Sequence, residues 1–205
     1  MADGCYNTSE LVGFCKTLHA TILIMLEPEV FPDMHKIQSV VHNEHRLKTV
    51  RSIKLAANRD NPVFKNLCVQ ASKLLNVPIA MISLVDEDID IIFGQTGLPE
   101  YLAKAGQIEA QPSFCQLTVA ADMPVVINDV QVDGTFRLFP SVSKQGLRAH
   151  LGIPLQVDGQ TIGNCCVIDF EPHQWSEQDI AILTQLAAEA TQEFKRTAKE
   201  LPLKS

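Results

Sequence analysis

The sequence contains no apolar run long enough to cross a bilayer. Its most apolar early stretch, Ala20 to Leu26, falls far short of the ~20 residues that a spanning helix needs. No basic segment leads into a cleavable apolar core at the N-terminus either. Both absences point to a cytoplasmic chain with no membrane partner. Positive charge is not in excess: 17 Lys and Arg face 24 Asp and Glu, for a net charge of −7. A basic stripe that would engage phosphate backbones is missing, so nucleic acid is not an expected partner. The six cysteines, at 5, 15, 68, 115, 165 and 166, form no CxxC motif and no Cys/His set with zinc spacing. No metal site follows from them. The reading they favour is small buried hydrophobes in a reducing compartment. Internal repeats, low-complexity segments, a phosphate loop and a nucleophile–base–acid set are also lacking, and no residue is assigned as catalytic.

What is present suits one domain of ordinary size with additional helices. A chain of 205 residues buries roughly 70% of its unfolded surface, enough to fold without staples. The clearest pattern runs from Gly146 to Phe170. Leu147, Ala149, Leu151, Ile153 and Leu155 alternate with Arg148, His150, Gly152 and Pro154, the period of a strand with one face against a core. Asp158-Gly159 supplies the tight turn, because glycine accepts positive φ without steric cost. The following run, Thr161 to Phe170, is more continuously apolar, as in a strand covered on both faces. An antiparallel hairpin therefore sits at the centre. Its less apolar face carries Arg148 and His150. Adjacent Cys165 and Cys166 project from opposite faces and are poorly placed to pair.

Before the hairpin, Asn7 with Glu10 opens a helix whose Leu11, Cys15, Leu18, Ile22 and Met25 form a seam of about two heptads. This is either an amphipathic helix lying on its own domain or a dimerisation helix. Pro28 and Pro32 end it. His35 to Ala57 is helical with a break near His42-Asn43, and Glu44 and Lys48 make an i,i+4 pair. Asn61-Pro62 caps a helix striped with Phe64, Leu67, Cys68, Ala71, Leu74 and Leu75. Val77 to Val85 and Ile89 to Phe93 make a second hairpin around Asp86-Glu87-Asp88, closed by Gly94 and Gly97. Tyr101 to Lys104 is a loop or short helix, Pro112 to Leu117 starts a helix, and Met123 to Ile127 is a short strand. Val130 to Gln145 reads as an extended loop with one helical turn. Ser176 with Asp179 caps the last helix, whose apolar face is Ile180, Leu183, Leu186, Ala187, Ala190 and Phe194.

In this order the chain resembles a GAF domain, of the kind found in bacterial sensor kinases and cyclases. The resemblance is carried by Val77 to Asp86, Ser113-Phe114-Cys115, Asn128-Asp129 with Asp133 to Arg137, Gly152 to Leu155, and Gly163 to Asp169. It implies an α+β fold: a central antiparallel sheet of about six strands, terminal helices packed on one face, and a small-molecule pocket on the other. That pocket would lie under the segment from Leu98 to Gln145. The implied layout is an N-terminal helical extension over 1–43, the GAF-like domain over 44–198 and a tail over 199–205. On this resemblance Leu147, Ala149 and Leu151 would face the helices, and Arg148 and His150 would face the pocket.

The candidate ligand-binding residues are Arg148, His150, Asp129, Phe136, Phe114 and Phe93. A guanidinium and an imidazole on one strand face suit an anionic or hydrogen-bonding guest. The alternative for Arg148 is an ion pair with Asp129 or Asp133 that pins the loop, and the three phenylalanines would equally serve to fill the cavity. Cys115, near a helix start that lowers a thiol's pKa, is the candidate redox residue. Three functions follow. The first is a sensory or regulatory small-molecule module with no output domain of its own, acting through a protein partner (a kinase, cyclase or regulator) or a homodimer of terminal helices. The second is a non-binding dimerisation scaffold. The third is a thiol-based redox sensor, or a reductase of the free methionine sulfoxide type. The small molecule and any cofactor stay unidentified.

Overall fold

A computed structural model of the chain describes residues 34–109, 112–132, 136 and 139–199. The chain divides into Met1–Phe31 and Pro32–Ser205, and everything below belongs to the second unit. The expected Leu11–Met25 helix lies outside the described residues, as do Asp133 and Arg137.

Helices α1 (Met34–Val41), α2 (Glu44–Ala56) and α3 (Pro62–Leu74) lead into strands β1 (Ile79–Val85) and β2 (Ile89–Thr96). Then follow α4 (Glu100–Ala105), β3 (Gln107–Glu109), α5 (Phe114–Ala121), β4 (Val125–Ile127), α6 (Pro140–Ser143), β5 (Ala149–Val157), β6 (Gln160–Asp169) and α7 (Glu177–Lys199). The six strands form one sheet in the order β3-β2-β1-β6-β5-β4, with every neighbouring pair antiparallel. The central hairpin turns through Asp158 and Gly159 at φ 52° and 73°, the two positive values that a tight two-residue turn requires.

The helix starts follow their caps. Asn43 accepts from Arg46 N at 3.1 Å, which sets the break between α1 and α2. Asn61 accepts from Val63 N at 3.0 Å with Pro62 at the first helical position. Ser176 and Asp179 bond reciprocally, Asp179 taking the Ser176 N–H at 2.8 Å. Two details depart from the sequence reading. Glu44 lies near Arg51 at 3.7 Å, and Leu74 points to solvent while Leu75 is buried.

Helices α2, α3 and α7 cover one sheet face. Ala149, Leu151, Ile153, Leu155, Cys165 and Val167 meet Val50, Phe64, Leu183 and Phe194 there. The opposite face carries Met81, Val85, Ile92, Val125 and Cys166, packed against α5 and α1. Helix α1, which the sequence reading put in the extension, thus contributes Ile37 and Val41 to this second core. Leu147 also belongs here and not to the helix-covered face, because it precedes β5 and escapes that strand's alternation.

Candidate functional site

The α5-covered face presents side chains of one parity from each strand. Asp90 and Ile92 come from β2, Ser83 from β1, Asn164 and Cys166 from β6, and His150 from β5. Register places Ser83 opposite Ile92 on one side and Asn164 on the other. It likewise sets His150 opposite Ile168 and Ile127.

Helix α5 is fastened across this face at both ends. At its start, Ser113 in extended backbone accepts from Gln116 N at 3.1 Å, and its hydroxyl donates to Asp90 Oδ2 at 3.2 Å. At its end, Asp122 adopts φ 53° and takes hydrogen bonds from Gln156 Nε2, at 2.6 Å, and from the Thr161 hydroxyl.

His150 is 1% exposed. Its ring stacks on Phe114 at 4.9 Å and 24°, and Phe114 in turn meets Phe136 at 5.2 Å and Phe139 at 4.9 Å. Neither imidazole nitrogen has a hydrogen-bond partner. Burial alone pushes its pKa down to about 3, so the ring is neutral. Asp90, equally buried, moves the other way: burial pushes its carboxyl up to about 6 against the opposing pull of Cys115, Ser113 and Arg46. Oδ1 of Asp90, Oε1 of Gln116 and Nδ2 of Asn164 are buried without a partner as well. Ser83 donates to Asn164 Oδ1 at 2.9 Å, so only half of that amide is satisfied. Each such group left bare costs about 1–3 kcal/mol.

Arg148 stands at the rim, outside the strand proper. Its Nε and Nη2 donate to Asp129 Oδ1 and Oδ2 at 3.0 and 2.7 Å. This bidentate pairing holds Asp129 below the usual carboxylate range. Val130 N donates to Arg148 O at 2.8 Å, so the pair ties the loop after β4 to the start of β5. Phe93 is not with the other candidates. It packs against Phe64 and Phe194 at 5.7 and 5.1 Å on the helix-covered face. It shares the parity of Ile91, which belongs to the same cluster, while Asp90 and Ile92 face α5.

Cys115 is buried, and its thiol is pushed well above its ordinary pKa, first by the Cys166 thiol beside it and then by burial and the Asp90 charge. The helix start therefore does not activate it, because desolvation and a neighbouring acid outweigh a partial dipole. Sequence reasoning missed Asp90, Asn164, Gln116 and Cys166 as members of this face. The available signal was a charge or amide inside an apolar strand, as in Ile89-Asp90-Ile91-Ile92 and Gly163-Asn164-Cys165. Among the described residues no group of three or more His, Cys, Asp or Glu is arranged to hold a metal, and no helix is long and apolar enough to cross a membrane. An open surface hollow of about 670 Å³ lies along α2, lined by Glu44, His45, Lys48, Arg51, Ser52 and Leu55, and shares no residue with the sheet face.

A six-stranded antiparallel sheet with helices on one face and a covered, partly polar second face defines an α+β module. The GAF domain profile matches residues 61–194, and the chain belongs to the GAF domain family. Solved structures agree on the fold. The GAF domain of an Acinetobacter phosphoenolpyruvate-protein phosphotransferase is 16% identical with a TM-score of 0.59, covering 78% of this chain and 99% of its own. A domain of a putative two-component sensor histidine kinase from Sinorhizobium meliloti 1021 is 22% identical, TM-score 0.56, over 70% of this chain and 96% of its own. The blue-light absorbing form of the Thermosynechococcus elongatus PixJ GAF domain is 21% identical, TM-score 0.54, over 73% and 89%. A comparison with curated proteins finds no match.

Proposed function

We propose that the chain is a regulatory module that holds a small molecule between the sheet and α5 and passes its occupancy to a protein partner or a second copy. The observation that carries this reading is the concentration of unpaired buried polar atoms between those layers, on Asp90, Gln116, His150 and Asn164. A folded protein pairs nearly all such groups, so a guest with complementary donors and acceptors, or water standing in for it, is the economical account. Phe114, Phe136 and the His150 ring offer it flat apolar surface. The Arg148–Asp129 pair holds the rim and is not itself the anchor. Kinship with the GAF family supports the reading, and location in the cytoplasm belongs to the same proposal. Coupling requires that the guest bind two packings of α5 unequally, since occupancy alone shifts no equilibrium.

One observation favours a second reading, the scaffold that binds nothing. Phe114, Phe136, Phe139 and His150 pack on one another and fill much of the space themselves. Native mass spectrometry of the freshly purified chain separates the two. The regulatory reading expects a mass increment that disappears on denaturation. A bare mass, together with a stable dimer at every concentration tested, overturns it in favour of the scaffold.

A further inference from the structure

We propose that the corner of the buried polar layer formed by Asp90 and Gln116 takes the cationic end of the guest, a planar amidinium or guanidinium group, and that anions are excluded from it. This rests on the reading of the layer as a guest site and adds the charge class of the guest.

Two elements build the corner. Asp90 comes from β2, opposite Val85 on β1 and Ile108 on β3, and Gln116 comes from the first turn of α5. Ser113 joins them: its hydroxyl accepts from Gln116 N at 3.1 Å and donates to Asp90 Oδ2 at 3.2 Å. The two residues are 1% and 3% exposed. Each keeps an oxygen without a partner, Oδ1 on Asp90 and Oε1 on Gln116. Both atoms are acceptors, so the corner calls for hydrogen-bond donors. The other unpaired nitrogens lie further across the sheet, at Asn164 Nδ2 on β6 and on the His150 imidazole from β5.

The neighbouring cations are spent elsewhere. Arg46 donates Nε to Val41 O at 3.1 Å and Nη1 to Val85 O at 2.7 Å. Arg148 gives Nε and Nη2 to Asp129 at the rim, and burial keeps His150 neutral. An anion in the corner would therefore meet a carboxylate and an amide oxygen. The start of α5 does not offset this, because Ser113 already takes the Gln116 N–H and Asp90 is itself the anion set beside that turn.

A buried carboxylate with one oxygen bare is costly, and a cation bearing N–H groups satisfies its charge and its hydrogen bond together. A planar amidinium suits the corner better than an ammonium, because its N–H groups lie side by side in one plane and can reach two neighbouring acceptors. Phe114, which begins α5, meets Phe136 at 5.2 Å, and aromatic faces attract a cation further.

The test uses three molecules of one shape and different charge: acetamidine, acetamide and acetate. Calorimetric titration of the full chain at pH 7.5 is expected to show acetamidine binding about tenfold or more tighter than acetamide, and acetate not binding. Asp90→Asn keeps the shape of the corner and removes its charge. In that variant the advantage of acetamidine is expected to vanish while acetamide still binds. At pH 5 the Asp90 carboxyl, pushed up to about 6 by burial, is mostly protonated, and acetamidine is expected to lose about tenfold with acetamide unchanged. Arg46 from α2, with a pKa of about 10, and the Cys115 thiol from α5 also act on Asp90, and both keep their charge state over that range. Equal affinities for acetamidine and acetamide, binding of acetate, or an advantage that survives Asp90→Asn would each overturn the proposal. So would failure of all three to bind. A mass increment retained by the freshly purified chain then leaves a guest of another charge class standing, whereas a bare mass removes the guest site as well.

Discussion

His150 and Asp90 set opposing pH dependences within one buried layer. His150 has a folded pKa near 3 against an ordinary 6.5. The unfolded chain therefore binds its proton first, and stability present above pH 6.5 is lost as pH falls towards 3. Over that window the loss is on the order of 5 kcal/mol. Asp90 has a folded pKa near 6 against 3.8, so the folded chain binds the extra proton. Its contribution is most favourable below pH 3.8 and declines by about 3 kcal/mol as pH rises through 6. Between pH 4 and 6 the two slopes offset one another. Denaturant midpoints across pH 4 to 8 are expected to show this separately in each variant. Asp90→Asn stabilises the chain at pH 7.5 by up to about 3 kcal/mol and does nothing at pH 4. His150→Phe removes the loss on the acid side. An unchanged midpoint for Asp90→Asn at pH 7.5 means that the carboxylate is hydrated and the buried polar layer is misassigned.

At the scale of elements, sheet and helices approach too closely in places for an ordinary side chain. A Cβ on Gly94 would sit 2.5 Å from the carbonyl carbon and oxygen of Phe64 in α3. Those atoms are backbone and cannot rotate away, so Gly94→Ala must displace the whole helix. The expected cost is about 1–3 kcal/mol or more, read as a lowered denaturation midpoint with the oligomeric state unchanged. The caps at Asn61 and Ser176 are legible in the sequence, because capping needs only residues within one turn; at Asn43 and Ser113 the sequence marks only a helix break and a helix start. Strand β3 was not: three residues, Gln107 to Glu109, carry too little pattern to register a period. The bulge at Phe93 was equally hidden. Only the pairing of β1 with β2 shows that one residue is extra, after which Gly94 as well as Phe93 faces α3.

The described unit is a sheet between two unequal cores. On the helix-covered side Phe64, Phe93 and Phe194, from three elements, meet with centroids 4.5 to 5.7 Å apart. Phe194→Ala removes one ring of this mutually touching set, and a loss of about 3–5 kcal/mol is expected in thermal or chemical unfolding. Because α7, α3 and β2 share that cluster, unfolding is expected to stay a single transition. A separate early loss of α7 helicity would show that the last helix is not part of the cooperative unit. The α5 side mixes apolar and polar groups, and the proposed guest would sit there, apart from the main core.

The chain's own order of residues determined the list of long elements, the central hairpin and its turn, the helix starts and the GAF family. Those features rest on periods of two and 3.6 and on caps, which are local. The tertiary structure alone decided that Leu147 joins the α5 side, that Arg148 is pinned by Asp129, and that Cys115 is buried near Asp90. It also decided which charges titrate abnormally. Desolvation depends on everything packed around a group, and residues far apart in the chain supply most of that packing.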